Sequence, residues 1–230
     1  LKKTLTIGHR GAMGHATENT LASVQKAMDL HVDIIEIDVF KIKSGEIIVF
    51  HDESLDRLTN TSGFIQDFTW QELSQIKLTS GDSIPLLSEV ISLVHGKCPI
   101  NIELKGLETA KATIEIIQQS LNETIFTNHF LISSFHFNEL EKVRKYNQNI
   151  SIGVLAEQFS DDLLAFAQEI NAFSIHLSYK ILNENILQHI QNKGFKVFVY
   201  TVNEVNNIEK FKKMGVDGIF CNFPERMNHV

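Results

Sequence analysis

The chain reads as a single (β/α)8 TIM barrel over residues 1–230, with a small subdomain inserted after its second strand at 51–98. Three observations predict it. At 230 residues the chain has the length of one such barrel. Short β-rich apolar runs alternate with amphipathic helical stretches along its whole length, as when parallel strands are joined by helical crossovers. Only three prolines occur and no low-complexity run breaks the chain, so nothing divides it into separate domains. A doubly wound open sheet is the alternative, because periodicity counts strands without closing them.

Taken in order, strands are predicted at 5–9, 33–40, 100–104, 130–135, 150–155, 172–177, 196–202 and 217–221. Helical faces lie between most of them: Leu21, Val24 and Met28; Ala110, Ile114, Ile117 and Leu121; Leu163, Ala167 and Ile170; Ile186 and Ile190; Val205, Ile208 and Phe211. The interval from Phe40 to Cys98 is too long for one crossover. It opens with two apolar strands joined at Ser44-Gly45, a hairpin signal. A two-residue loop there pairs Lys43 with Glu46 and sets His51 opposite Asp38; a bulge shifts the pairing by one. Helices are expected near 70–76 and 87–94, the first with Thr69 as N-cap and Glu72 at N3.

Composition excludes several classes. With 21 basic against 28 acidic side chains the net charge is −7, the wrong sign for a nucleic-acid binder. No run approaches the roughly 20 apolar residues that span a bilayer, so stable membrane insertion is not expected. Cys98 and Cys221 make neither a disulfide framework nor a zinc motif. They fit a reducing compartment, and the cytoplasm is favoured. The chain opens without Met, which leaves a secreted or periplasmic protein open if a leader preceded it. A monomer or homodimer is expected.

Chemistry in such a barrel belongs at the carboxyl ends of the strands, where charge inside the cylinder is costly unless it is used. The first strand ends in His9-Arg10-Gly11. The second carries Glu36 and Asp38 on one face, and the third Glu103 and Lys105. Each pair alone fits a solvated strand face or a plain ion pair. Together the three carboxylates form a hard-oxygen set suited to one divalent cation, Mg2+ or Ca2+; unoccupied, they would repel one another. Arg10 and Lys105 add positive charge, and His9 and His51 supply a base and an acid of near-neutral pKa. A phosphate diester matches such a pocket.

The motifs His9-Arg10-Gly11, Glu18-Asn19-Thr20, Glu36-Ile37-Asp38, His51-Asp52, Glu103-Leu104-Lys105, Ser133-Ser134-Phe135, Thr201-Val202-Asn203 and Asp217-Gly218-Ile219 follow one another in this order. Their succession resembles the glycerophosphodiester phosphodiesterase family across essentially the whole chain. The resemblance implies hydrolysis of a small-molecule glycerophosphodiester to sn-glycerol 3-phosphate and an alcohol, with a divalent cation. It makes His9 and His51 the acid/base pair and Glu36, Asp38 and Glu103 the metal ligands, with Arg10 and Lys105 on phosphate. Glu18 and Asn19 would shape the mouth, unless Asn19 or Thr20 simply caps the first helix.

The sequence departs from the family pattern at Thr17, where Pro is common, at Tyr200, where Trp is usual, and at Cys221-Asn222, which replaces Thr-Asp. Tyr200 keeps an aromatic wall for the alcohol pocket, while Asn222 removes an acid beside the site. His15 and His176 are read as polar lining or structural. The leading expectation sets His9 as base and His51 as acid, the nucleophile being water or the substrate's own 2-hydroxyl. The alternatives are a lysophospholipase D or phospholipase C-like enzyme on the same barrel, and a non-catalytic ligand-binding relative.

Overall fold

The computed structural model describes residues 3–229, leaving Leu1, Lys2 and Val230 outside. Its elements run β1 (Leu5–Gly8), α1 (Leu21–Asp29), β2 (Ile34–Lys41), β3 (Ile47–Val49), α2 (Trp70–Leu73), α3 (Leu87–Val94), β4 (Ile100–Leu104), α4 (Ala110–Ser120), β5 (Phe130–Ser134), α5 (Phe137–Tyr146), β6 (Ser151–Ala156), α6 (Asp161–Glu169), β7 (Ser174–Ser178), α7 (Glu184–Asn192), β8 (Lys196–Tyr200), α8 (Val205–Met214) and β9 (Gly218–Cys221). Eight parallel strands close into a cylinder. β1 pairs with β9 on one side, Ile7 opposite Phe220, and with β2 on the other, Ile7 opposite Ile34. The open-sheet alternative is therefore excluded.

Alternation along each strand divides the apolar residues between two cores. Ile35, Ile37 and Val39 of β2 face the surrounding helices, while Ile7, Ile34, Leu131, Phe198 and Phe220 fill the cylinder itself. The expected helices all form except that the one near 70–76 stops at Leu73. Its capping box is present: Glu72 N donates to Thr69 Oγ1 at 3.4 Å, and Thr69 N donates to Glu72 Oε2 at 2.8 Å. No helix among the described residues is long and apolar enough to cross a membrane.

One helix had no counterpart in the apolar pattern. In α5 only Glu139, Leu140 and Val143 are buried, so its apolar stripe is too thin to read. Glu139 is fully buried because it caps a neighbour: its carboxylate accepts from the N–H groups of Glu108, Thr109 and Ala110 at 2.9–3.0 Å, at the start of α4.

Between β2 and β4 the chain leaves the cylinder. β3 runs antiparallel to β2, with Val39 opposite Val49 and Lys41 opposite Ile47. The connection is a three-residue loop, not two: Ile42 N donates to Glu46 O, and Gly45 takes a left-handed φ of +104°. The register is thus shifted by one, so that Phe50 N donates to Asp38 O at 3.0 Å. The segment has its own core, in which Phe40, Ile48, Phe50, Leu55, Ile65 and Leu73 pack together. Phe50 is 2% exposed and immediately precedes His51. Truncating it to Ala is expected to cost about 3–5 kcal/mol and to loosen the histidine with it.

Candidate active site

All eight residues singled out from the sequence line one cavity of about 240 Å3 at the carboxyl end of the cylinder: His9, Arg10, Glu36, Asp38, His51, Glu103, Lys105 and Tyr200. The strand register explains part of this. Asp38 of β2 sits directly opposite Glu103 of β4, and Glu36 lies one inward position deeper. One carboxylate oxygen from each of the three residues falls within 4.8 Å of the others.

Three buried like charges oppose one another. Burial, then Asp38 and Glu103, raise the Glu36 carboxyl well above the carboxylate range. Burial and Asp38 likewise push Glu103 up to about 7, against the pull of Lys105. Lys105 Nζ sits 3.0 Å from Glu103 Oε1 and 5.9 Å from the centre of the Phe135 ring. Burial works against its charge, but Glu103 and Asp38 hold it above the usual lysine value.

The loop after β1 is shaped for close approach. Gly11 has φ +81°, and a Cβ there would lie 2.5 Å from the Ser23 carbonyl carbon, so α1 can press against it only because it is glycine. Arg10 also takes a left-handed φ, +51°, which costs a non-glycine residue on the order of 1–3 kcal/mol. Neighbours hold it: Arg10 N donates to Glu36 Oε2 at 2.7 Å, and Ser23 Oγ donates to Arg10 O at 2.9 Å. Its guanidinium donates to Glu18 Oε1 at 2.7 Å and lies 3.4 Å from Asp38 Oδ2. Arg10 therefore orders carboxylates as well as facing the cavity.

The two histidines meet from different parts of the fold. His9 continues β1, its N–H bonded to Cys221 O at 3.1 Å, and its Nδ1 donates to Asn222 Oδ1 at 2.7 Å. Burial and the nearby Arg10 charge lower its pKa to about 4. His51 follows β3, with Nδ1 donating to Asp52 Oδ1 at 2.6 Å. Burial opposes the Asp52 charge, yet hydrogen bonds from Arg57 and His51 bring its pKa down to about 2. In each ring the engaged Nδ1 leaves Nε2 as the free nitrogen.

Some residues here were left undecided by the sequence reading, and others were not assigned by it. Thr20, not Asn19, caps α1, accepting from Ser23 N at 3.1 Å. Asn19 instead locks Asp38 from both ends: its Nδ2 donates to Asp38 Oδ2 at 2.9 Å, and Asp38 N donates to its Oδ1 at 3.1 Å. Its φ is +59°, a region that Asn tolerates. Asp52 entered the sequence reading only through the His51-Asp52 motif, and Arg57, six residues beyond the histidine, carried no signal. Of the two doubtful histidines, neither reaches the cavity lining. His15 pairs with Glu225 at 2.8 Å, and His176 is fully buried within the cylinder, stacked on Phe198.

A closed parallel barrel with a carboxylate trio and two poised imidazoles at its carboxyl rim is an enzyme architecture. The model of the glycerophosphoryl diester phosphodiesterase family matches residues 9–226, and the chain belongs to that family. It is 34% identical to a glycerophosphodiester phosphodiesterase of Caldanaerobacter subterraneus subsp. tengcongensis, over 98% of this chain and 96% of that one. It is 31% identical to one from Bacillus altitudinis, over 97% and 96%. Among solved structures, an Oleispira antarctica phosphodiesterase in complex with the product sn-glycerol-3-phosphate superposes with a TM-score of 0.91 at 27% identity, covering 97% of this chain and 94% of that one.

Proposed function

We propose that this chain hydrolyses glycerophosphodiesters to sn-glycerol 3-phosphate and an alcohol, His9 acting as general base and His51 as general acid. The observation that carries the reading is the convergence on one cavity of two imidazoles with differently charged partners beside three buried carboxylates. The product bound to the Oleispira antarctica relative supports it.

Glu36, Asp38 and Glu103 fit a divalent cation: all are hard oxygen donors, and their mutual repulsion is relieved only by positive charge. A bound Mg2+ or Ca2+ would neutralise charge on the phosphoryl oxygens. The protein's own groups do the remainder. His9, held neutral by burial and the nearby Arg10 charge, accepts the proton of the nucleophile, which is water or the glycerol 2-hydroxyl. Lys105 and Arg10 hold the phosphoryl group. His51 gives its proton to the departing alkoxide, its ring oriented by the Asp52 carboxylate that accepts from Nδ1. Tyr200, whose hydroxyl donates to Ala156 O at 3.1 Å, walls the pocket edge-on to Phe135.

A coupled assay for released glycerol 3-phosphate, over a panel of head groups with and without each cation, tests the reading. Absence of product from every glycerophosphodiester would overturn it. A second reading, a lysophospholipase D, draws on Phe64 and Leu107, 61% and 53% exposed, along the cleft outside the cavity. Preference for a long-chain lysolipid over glycerophosphocholine in the same assay would select it.

A further inference from the structure

We propose that Arg57, gripping Glu18 and Asp52 at once, is the positioning residue that holds His51 in place to protonate the leaving group; the proposal rests on the phosphodiesterase reading above. His51 lies outside regular structure, just beyond the end of β3, and its side chain is 28% exposed. Packing alone therefore leaves its ring free to turn. A continuous set of charge-assisted bonds prevents that. His51 Nδ1 donates to Asp52 Oδ1 at 2.6 Å, and Arg57 Nε donates to Asp52 Oδ2 at 2.5 Å. The two terminal nitrogens of Arg57 fork onto Glu18, NH1 to Oε2 at 2.9 Å and NH2 to Oε1 at 2.6 Å. Glu18 belongs to the barrel loop after β1, is 6% exposed, and is also bound by Arg10 at 2.7 Å.

All three guanidinium nitrogens of Arg57 are thus used, two on the barrel and one on the inserted segment. A rigid planar fork can do this where a lysine, with one ammonium, cannot hold both carboxylates in fixed directions. The series Arg10–Glu18–Arg57–Asp52–His51 sets the inserted segment's imidazole against the barrel's phosphate-binding arginine. Misplacement of a proton donor by about 1 Å is enough to cost on the order of 10²-fold in rate.

In the step concerned, the nucleophile's oxygen bonds to phosphorus and its proton goes to His9. The bond from phosphorus to the alcohol oxygen breaks, its electron pair stays on that oxygen, and His51 supplies the proton that completes the alcohol. A leaving group already stable as an anion needs no such proton. The test therefore compares glycerophosphocholine with the 4-nitrophenyl ester of glycerol 3-phosphate, using the full chain and saturating Mg2+ or Ca2+.

We expect Arg57→Ala to lower kcat on glycerophosphocholine about 10- to 100-fold with KM changed less than about threefold. Arg57→Lys should recover part of the loss. Both variants should keep turnover of the nitrophenyl ester within about threefold of the parent, which also guards against misfolding as the cause. Equal loss on both esters, or an unchanged kcat on glycerophosphocholine, would overturn the positioning role. A parent protein inactive on both esters would instead sink the phosphodiesterase reading itself.

Discussion

His9 and His51 share one cavity but are housed in opposite ways. His9 directly follows a barrel strand, partly buried, with a neutral amide on Nδ1 and a pKa near 4. His51 sits on an inserted segment, partly exposed, with a carboxylate on Nδ1 that an arginine fastens to the barrel. The difference teaches how one side-chain type is fitted to two environments: burial and the Arg10 charge favour the neutral form of His9, while a carboxylate orients His51. The proposed base and acid are thus held by different means, one by the barrel wall and the other by a charge network from the inserted segment.

The largest expected effect removes the contrast altogether. His9→Ala should lower turnover by about 10²-fold or more on alkyl and nitrophenyl esters alike, since both need an activated nucleophile. Steady-state rates of the purified variant check this; loss confined to alkyl esters would exchange the roles of the two histidines. Next comes the carboxylate trio. Asn19→Ala frees Asp38 from both of its bonds and should weaken cation affinity about 10- to 100-fold, measured by calorimetric titration.

A third expectation concerns protons. Burial and mutual repulsion hold Glu36 well above the carboxylate range and Glu103 near 7, so a cation binding the trio is expected to displace protons. Calorimetry in buffers of different ionisation enthalpy should register net proton release on adding Mg2+ or Ca2+, and the apparent affinity should rise with pH. Removing the cation with a chelator should reverse the proton release and abolish turnover.

The smallest effect sharpens the comparison most directly. Asn222→Asp gives His9 the kind of partner that His51 already has. A carboxylate there favours the imidazolium, raising the pKa of His9 from about 4 by roughly one to three units. With His9 as the proposed base, activity should be lost as pH falls through that pKa. The acid limb of kcat/KM should therefore move to higher pH in the variant, while the rate at high pH changes little. An unmoved acid limb would show that Asn222 does not govern this ring.

Much of the site was legible because strand periodicity is local physics. Glu36 and Asp38, two residues apart in an apolar strand, must share a face, and so must Glu103 and Lys105. The capping boxes at Thr69 and Thr20 are equally local. Other features depend on partners distant in the chain. Glu139 caps a helix about 30 residues before it, and Arg57 meets Glu18 across 39 residues, so neither leaves a local pattern. The hairpin register turned on one residue of loop length, which apolar alternation around Ser44-Gly45 could not resolve.

The positions of the strands, the strand faces that carry charge and the identity of the ionisable groups were all determined by the amino-acid sequence alone, since each follows from the alternation of neighbours along a strand. The tertiary structure alone decided which partner each histidine meets and how the inserted segment is fastened to the cylinder. Those outcomes depend on contacts between residues far apart in the chain, and only the closure of the barrel, with one loop's exact length, brings them within hydrogen-bonding distance.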